Sequence, residues 1–191
     1  MALYGTTAAA DASIALARMR SMFQANGRAS AAWVGILLAK TNGGDYLLAT
    51  AEARRAKEAG IALITLGLDI DIQGSLYAFL ASLATSVGGR SATYAVATKH
   101  IEVNLETISL SLHSFAEGGG APYLGVKWNR TFDFIVLIHD ASGSNSAEVK
   151  VFLMTLFRSF LIGSGNAQVG VIVFGRQVDL QNMIVLGEID T

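Results

Sequence analysis

The chain has 191 residues, of which 52% are hydrophobic and 15% are charged, and its net charge is −1. This length and composition suit one globular domain with a full core, and the near-neutral charge does not favour a nucleic-acid partner. The absence of cysteine excludes a disulfide framework and a thiolate metal site. We expect no signal peptide over Met1–Arg20 and no membrane span, because charged residues or glycines interrupt the long apolar runs.

The first element along the chain is a predicted helix over Ala8–Gln24. Thr6 and Thr7 precede it in a turn and are candidate N-caps, and Asn26-Gly27 ends it. Its candidate core positions, at helical spacing, are Ile14, Leu16, Met19, Met22 and Phe23.

Strand and helix patterns then alternate over residues 33–115. The predicted strands are Trp33–Ala39, Ile61–Leu68 and Ser91–Ala97. The predicted helices are Tyr46–Ala59, Ser75–Val87 and Ile101–Phe115. Glycines follow the first two of these helices, and a glycine is the residue that most readily ends a helix in the left-handed conformation.

The last third of the chain begins after a segment without clear periodicity, Ala116–Thr131, which contains three consecutive glycines and predicts a connector. An apolar run over Phe132–Ile138 then predicts a buried strand, and a helical pattern over Ser146–Leu161 follows it. A further strand over Ala167–Phe174 leads through a tight turn into Gln177–Leu186, a predicted antiparallel strand.

This alternation predicts an α/β fold: a doubly wound, mostly parallel central sheet with one antiparallel edge strand and helices on both faces, of Rossmann-like type. In such sheets, binding sites form at the carboxyl ends of the strands, where the strand order reverses. The loops Lys40–Asp45, Asp69–Gly74 and Asp140–Ser144 each follow a predicted strand directly. We therefore expect all three loops at the same edge of the sheet.

The loop after the Phe132–Ile138 strand carries Asp140, Ser142 and Ser144 at alternate positions. One carboxylate and two hydroxyls suit a hard cation, which prefers oxygen ligands. A simpler interpretation is that these side chains only cap the helix that starts near Ser146.

The sequence Asp140-Ala-Ser142-Gly-Ser144, at the end of an apolar strand, resembles the Asp-x-Ser-x-Ser metal motif of the von Willebrand factor A (integrin inserted) domain. Gly5-Thr6-Thr7 before a helix resembles that family's Gly-Thr-Asn-Thr turn, and Val169–Phe174 resembles its next strand. The order is permuted, because the Asp-x-Ser-x-Ser strand begins the family's domain but follows residue 131 in this chain.

The whole chain, residues 1–191, therefore resembles one such domain in circularly permuted order. Residues 1–115 correspond to the family's C-terminal part, residues 132–191 to its N-terminal part, and residues 116–131 form the connector. Two alternatives stay open: a piece cut across two tandem domains, or a swapped dimer in which each chain supplies two half domains.

The resemblance implies a metal-ion-dependent adhesion site, called MIDAS, that binds Mg²⁺ or Mn²⁺ and through it an acidic group of a protein partner. Carried over residue by residue, the implied ligands are Asp140, Ser142, Ser144 and Thr6, with Thr7 as the substitute for Thr6. The implied role is non-catalytic adhesion at the cell surface or outside the cell, without nucleic acid, by a monomer or a swapped dimer.

Lys40 departs from the family pattern, because it stands where the resemblance predicts an aspartate ligand. Asp45, later in the same loop, is a candidate to compensate. Lys40 could instead replace the ion and form a salt bridge with Asp140. The alternative functions are a structural or engineered scaffold with a disabled metal site, and a metal-dependent hydrolase that uses Asp140. A hydrolase needs a second acid or a base nearby, for which the loops also offer Asp69 and Asp71.

Overall fold

The structure is a computed structural model that describes residues 11–40, 45–87, 89–96, 131–139, 149, 153–154, 167–175 and 177–188. The helices in this part of the chain are α1 (Ala12–Asn26), α2 (Tyr46–Glu58) and α3 (Ser75–Leu83). The strands are β1 (Ala32–Ala39), β2 (Ala62–Leu68), β3 (Ser86–Val87), β4 (Arg90–Ser91), β5 (Thr93–Val96), β6 (Phe132–His139), β7 (Ala167–Phe174) and β8 (Val178–Ile184).

Six strands of the described part of the chain form the central sheet, in the order β5-β2-β1-β6-β7-β8. Neighbours pair in parallel except β7 and β8, so that β8 is an antiparallel edge strand. The short strands β3 and β4 form a separate hairpin. The predicted α/β class, the mostly parallel sheet and the antiparallel edge strand are confirmed.

The strand order reverses between β1 and β6, at the centre of the sheet. From β1 the chain moves outward through β2 to β5, and from β6 it moves outward in the opposite direction through β7 to β8. Counted from β6, the order is 3-2-1-4-5-6, which is the strand order of the doubly wound fold. The crevice between the C-terminal ends of β1 and β6 is therefore the topological switch point.

The two faces of the sheet are covered by different parts of the chain. Leu37, Leu63 and Ile135 lie on the face against which α1, α2 and α3 pack. The opposite face carries a second apolar cluster, and two helical residues, Val149 and Leu153, pack against it. The central strands are buried on both faces, which explains why their sequences are continuous apolar runs.

Gly35 allows α1 to approach the centre of the sheet. A Cβ atom at this position would overlap the sulfur of Met19, and it would lie 2.9 Å from Cδ2 of Leu63. Met19 is fully buried, so α1 packs directly over the backbone of β1 at this glycine.

Two predicted helix boundaries are wrong. In the structure α1 starts at Ala12, and Asp11 is its N-cap. The Asp11 carboxylate accepts from the backbone N–H of Ser13, and the backbone N–H of Asp11 donates to the carbonyl of Gly175. The predicted caps Thr6 and Thr7 lie outside the described residues. One predicted core position of α1, Ile14, is exposed, whereas the other four are buried.

The helix predicted over Ser75–Val87 ends at Leu83, because the chain then turns into the β3–β4 hairpin. Thr85 fixes this exit: its N–H donates to the carbonyl of Leu63, and its hydroxyl accepts from the N–H of Leu63. The predicted helix Ile101–Phe115 and nearly all of the connector lie outside the described residues.

Candidate functional site at the switch point

The described residues at the C-terminal edge of the sheet are the ends of its parallel strands and the residues that follow. Lys40 follows β1, Asp69 follows β2, His139 is the last residue of β6, and Gly175 follows β7. The proposed ligands Asp140, Ser142, Ser144 and Thr6, and the substitute Thr7, lie outside the described residues.

Lys40 and Asp69 form an ion pair at this edge. The Lys40 Nζ atom lies 3.8 Å from Oδ2 of Asp69, and each side chain is 36% exposed. Because β1 lies between β2 and β6, this contact directs Lys40 towards the β2 side, away from the strand that leads to Asp140. Among the described residues, the ionic partner of Lys40 is thus Asp69; the predicted alternative, Asp140, lies outside them.

Asp69 has an unusual backbone conformation, with a φ of 52°, and it is the non-glycine residue with positive φ among those described. Its N–H donates to the carbonyl of Val96 at 2.9 Å, so the residue is tied to the end of β5. Aspartate and asparagine tolerate this left-handed region better than most other residues. The fixed backbone places the Asp69 carboxylate beside the end of β1.

Asp45 serves as the N-cap of α2. Its Oδ1 atom accepts from the backbone N–H groups of Leu47 at 2.8 Å and Leu48 at 3.2 Å. These two donors would otherwise be unsatisfied at the start of the helix. This capping role gives Asp45 a structural function that is independent of any metal.

His139 lies in an apolar setting on the face of the sheet that α1 and α3 cover. Its ring stacks on Phe174 with a centroid distance of 5.5 Å. Both rings line a small pocket whose other walls are apolar side chains from α1, β1 and α3: Ala12, Leu37, Ala39, Leu76, Phe79 and Leu80. This pocket offers apolar contacts, and His139 is its titratable side chain.

The described residues contain no group of three or more histidine, cysteine or acidic side chains that could hold a metal ion. The ligands predicted from the sequence lie in the loop that follows His139 and in the segment before Asp11, outside the described residues. The residue types there, a carboxylate and several hydroxyls, are the hard oxygen donors that Mg²⁺ and Mn²⁺ accept. The pairing with Asp69 offsets the positive charge of Lys40 at this edge.

A buried ion pair at the opposite edge of the sheet was not anticipated from the sequence. Asp133, near the start of β6, is completely buried and is held by Arg28, in the loop between α1 and β1. The sequence does contain one sign of this pair: Asp133 is a single carboxylate within an apolar strand, and a buried charge requires a partner. The partner, Arg28, is 105 residues away in the sequence, so the sequence does not indicate which cation pairs with Asp133.

Comparisons with known proteins leave the family undetermined. No protein-family model and no curated protein matches the chain. Among solved structures, the chain is similar to an uncharacterized protein from Alicyclobacillus acidocaldarius subsp. acidocaldarius DSM 446, with 15% sequence identity and a TM-score of 0.46. That similarity covers 83% of this chain and 87% of the other. No helix within the described ranges is long and apolar enough to span a membrane.

Proposed function

We propose that this chain is a single domain of the von Willebrand A type in permuted order, and that it binds a protein partner without catalysis. In this proposal residues 132–191 supply the first part of the domain and residues 1–115 supply the second. The resemblance places such a domain outside the cell or at its surface. The binding surface is the C-terminal edge of the sheet, and the recognised group is an acidic side chain of the partner.

The observation that carries this proposal is the position of the switch point. In doubly wound folds, ligands bind in the crevice between two adjacent strands whose following connections run in opposite directions across the sheet. In this chain those strands are β1 and β6. Asp140 is the next residue after the end of β6, and Lys40 is the next residue after β1.

The proposed site holds Mg²⁺ or Mn²⁺, which supplies a positive charge with an open coordination position for the partner's carboxylate. Its proposed ligands, direct or through water, are Asp140, Ser142, Ser144 and Thr6. The protein's own contribution is to keep these oxygens at one edge and to keep the Lys40 ammonium from competing with the ion. The Lys40–Asp69 pair supports the second part of this arrangement.

A second candidate function is a structural or engineered scaffold with a disabled metal site. The specific observation in its favour is Lys40, because a positive charge at the end of β1 opposes a divalent cation in the adjacent crevice. A metal-dependent hydrolase has less support, because the described edge offers no cluster of acids and bases: Asp45 caps a helix and Asp69 pairs with Lys40.

Titration with Mg²⁺, followed by calorimetry and by the melting temperature, tests the proposal. An ion that binds only the folded state raises the melting temperature, because it stabilises that state by RT ln(1 + [L]/Kd). We expect saturable binding by the native chain, and loss of binding in Asp140→Asn and in Ser142→Ala. Asp71→Asn is the matched control, because it removes one exposed carboxylate from the loop after β2. No binding at millimolar Mg²⁺ would favour the disabled scaffold.

The partner is tested separately. An acidic peptide, immobilised at its amino terminus, is expected to retain the chain in Mg²⁺ and to release it in EDTA. Retention that is equal in EDTA would contradict recognition through a cation. A screen with generic phosphatase and esterase substrates addresses the hydrolase, and turnover that Asp140→Asn abolishes would overturn the non-catalytic assignment.

A further inference from the structure

We propose that the start of α2 and the loop before α3 form a docking surface for a protein segment that carries apolar side chains flanked by lysine or arginine. We call this the α2–α3 surface, and its residues are Tyr46, Leu47, Leu48 and Ile72. It consists of residues that the structure describes, and it does not depend on a bound cation. The inference therefore goes beyond the proposed function.

Helix α2 buries small side chains and exposes large ones at its first turn. Its buried residues are three alanines at helical spacing: Ala49, Ala53 and Ala56. Leu47 is 83% exposed and Leu48 is 55% exposed, although burial of a leucine side chain is among the larger single contributions to stability. The packing of α2 on the sheet does not require these leucines. Adjacent exposed apolar side chains of this kind indicate contact with another molecule.

Two contacts bring the loop before α3 to the same side of the molecule as the start of α2. The Tyr46 ring packs on the Phe79 ring of α3, with a centroid distance of 4.3 Å. Lys40, which follows β1, pairs with Asp69 at the start of the loop that leads to α3. Ile72 lies in that loop and is 62% exposed. The apolar side chains of two neighbouring segments thus lie on one surface.

The shape of this region suits a protein segment better than a small molecule. The pocket that Phe79 lines, next to Tyr46, has a volume of about 10 Å³, which is the space of about one water molecule. Side chains that project from the surface instead offer apolar area to a partner that lies across them.

The charges around the α2–α3 surface define the chemistry of the partner. Asp45 precedes the exposed leucines and Asp71 precedes Ile72, and both aspartates are exposed. With the Lys40–Asp69 pair, the described flanks hold three carboxylates and one ammonium, a formal charge of −2. This charge attracts a basic segment. It disfavours a second copy of the chain, which would bring the same carboxylates together, and it disfavours an anionic lipid surface.

The experiment uses the full chain in EDTA, so that no divalent cation takes part. The probe is a synthetic amphipathic peptide of leucine and lysine with the leucines at helical spacing. The control peptide carries glutamate in place of every lysine. Calorimetry measures the affinity of the native chain for both peptides, at low and at high salt.

Three variants locate the binding: Leu47→Ser/Leu48→Ser, Asp69→Asn/Asp71→Asn and Leu180→Ser. Leu180 is the matched control, because it is 66% exposed on the edge strand β8, which lies across the sheet from β2. Asparagine is used at position 69 because it tolerates the left-handed backbone of Asp69. Urea unfolding verifies that each variant is folded.

We expect the native chain to bind the lysine peptide saturably and the glutamate peptide at least about tenfold more weakly. Leu47→Ser/Leu48→Ser should weaken binding of the lysine peptide by at least about tenfold, and Leu180→Ser by less than about twofold. Asp69→Asn/Asp71→Asn should weaken it by about three- to tenfold. High salt should reduce this last difference, because it screens exposed charges.

The inference is overturned by the absence of saturable binding up to about 1 mM lysine peptide. Equal binding of the two peptides, or equal losses in Leu47→Ser/Leu48→Ser and Leu180→Ser, also overturns it. Sedimentation velocity and phosphatidylcholine vesicles address the other occupants. Dimerisation or vesicle binding that Leu47→Ser/Leu48→Ser abolishes would assign the surface to a second copy or to a membrane, and either result overturns the inference. Failure of Mg²⁺ binding leaves it intact, because every measurement is made in EDTA.

Discussion

The Arg28 guanidinium holds the fully buried carboxylate of Asp133 at the N-terminal edge of the sheet. Arg28 Nη2 lies 2.6 Å and Nε lies 2.8 Å from Oδ1 of Asp133, and the backbone N–H of Arg28 donates to Oδ2 at 2.7 Å. The carbonyl of Arg28 in turn accepts from Nε1 of Trp33. These bonds join the loop after α1 to the start of β6 and thereby connect the two parts of the chain at the centre of the sheet.

Removing one partner of this pair should destabilise the fold strongly. Asp133→Ala leaves the guanidinium without its carboxylate partner, and Arg28→Ala leaves a buried carboxylate without its cation. We expect each change to lower the free energy of unfolding, measured in urea, by about 3–5 kcal/mol. The double change Arg28→Met/Asp133→Leu should cost less than the sum of the two single changes, because neither charge is then left alone. Additive costs would show that the two side chains act independently.

The strands of this fold could be predicted from the sequence because burial on both faces produces continuous apolar runs. The run Phe132–Ile138 becomes β6, and Trp33–Ala39 becomes β1, each within one residue of the predicted range. That these two strands pair in parallel at the centre of the sheet is a finding of the structure. The alternation of strands and helices also predicted that the loops after the parallel strands meet at the carboxyl edge of the sheet, where the site is proposed.

The contacts that decide the site's electrostatics could not be predicted in the same way. Asp69, Asp45 and Lys40 all occur in polar loops, and no local pattern distinguishes an ion-pair partner from a helix cap. Asp11 replaced the predicted caps because its backbone is anchored to Gly175, a contact across more than 150 residues of chain. Such roles depend on which loops the sheet brings together, and that information is tertiary.

The close approach of α1 to β1 predicts that Gly35→Ala destabilises the protein. The new Cβ would overlap the Met19 sulfur and press on Leu63, and overpacking of this kind costs about 1–3 kcal/mol. Gly175→Ala is the matched control, because no heavy atom of the described residues, apart from its chain neighbours, would lie within 4 Å of its Cβ, and it should change stability by less than about 0.5 kcal/mol. In a Met19→Ala background, the cost of Gly35→Ala should shrink. An unchanged cost would point to a cause other than this contact.

The N-cap role of Asp45 predicts a loss of stability that is unrelated to metal. Asp45→Ala removes the acceptor for the N–H groups of Leu47 and Leu48 and should cost about 1 kcal/mol, whereas Asp45→Asn can still cap and should cost less. Glu58→Ala, at the exposed end of the same helix, should have little effect. If Asp45→Asn lowers Mg²⁺ affinity as much as Asp140→Asn does, Asp45 is a ligand after all.

Lys57 predicts a pH dependence of stability in the alkaline range. Burial lowers the pKa of Lys57 below its ordinary value of 10.5, and its Nζ donates to the carbonyl of Ala84 at 3.3 Å. Between the lowered pKa and 10.5 the unfolded chain holds the Lys57 proton more often than the folded chain does. The contribution of Lys57 to the unfolding free energy therefore rises with pH in this window and is constant below it.

Because other groups titrate in the same range, the measurement must be a difference between variants. Lys57→Met should remove an upward slope from the plot of unfolding free energy against pH, so that its difference from the native chain changes as the pH rises towards 10.5. Arg54→Met, which removes one positive charge from the same helix, is the control, and its difference from the native chain should stay constant over this range. Parallel curves for the native chain and Lys57→Met would show that burial of Lys57 does not affect its ionisation.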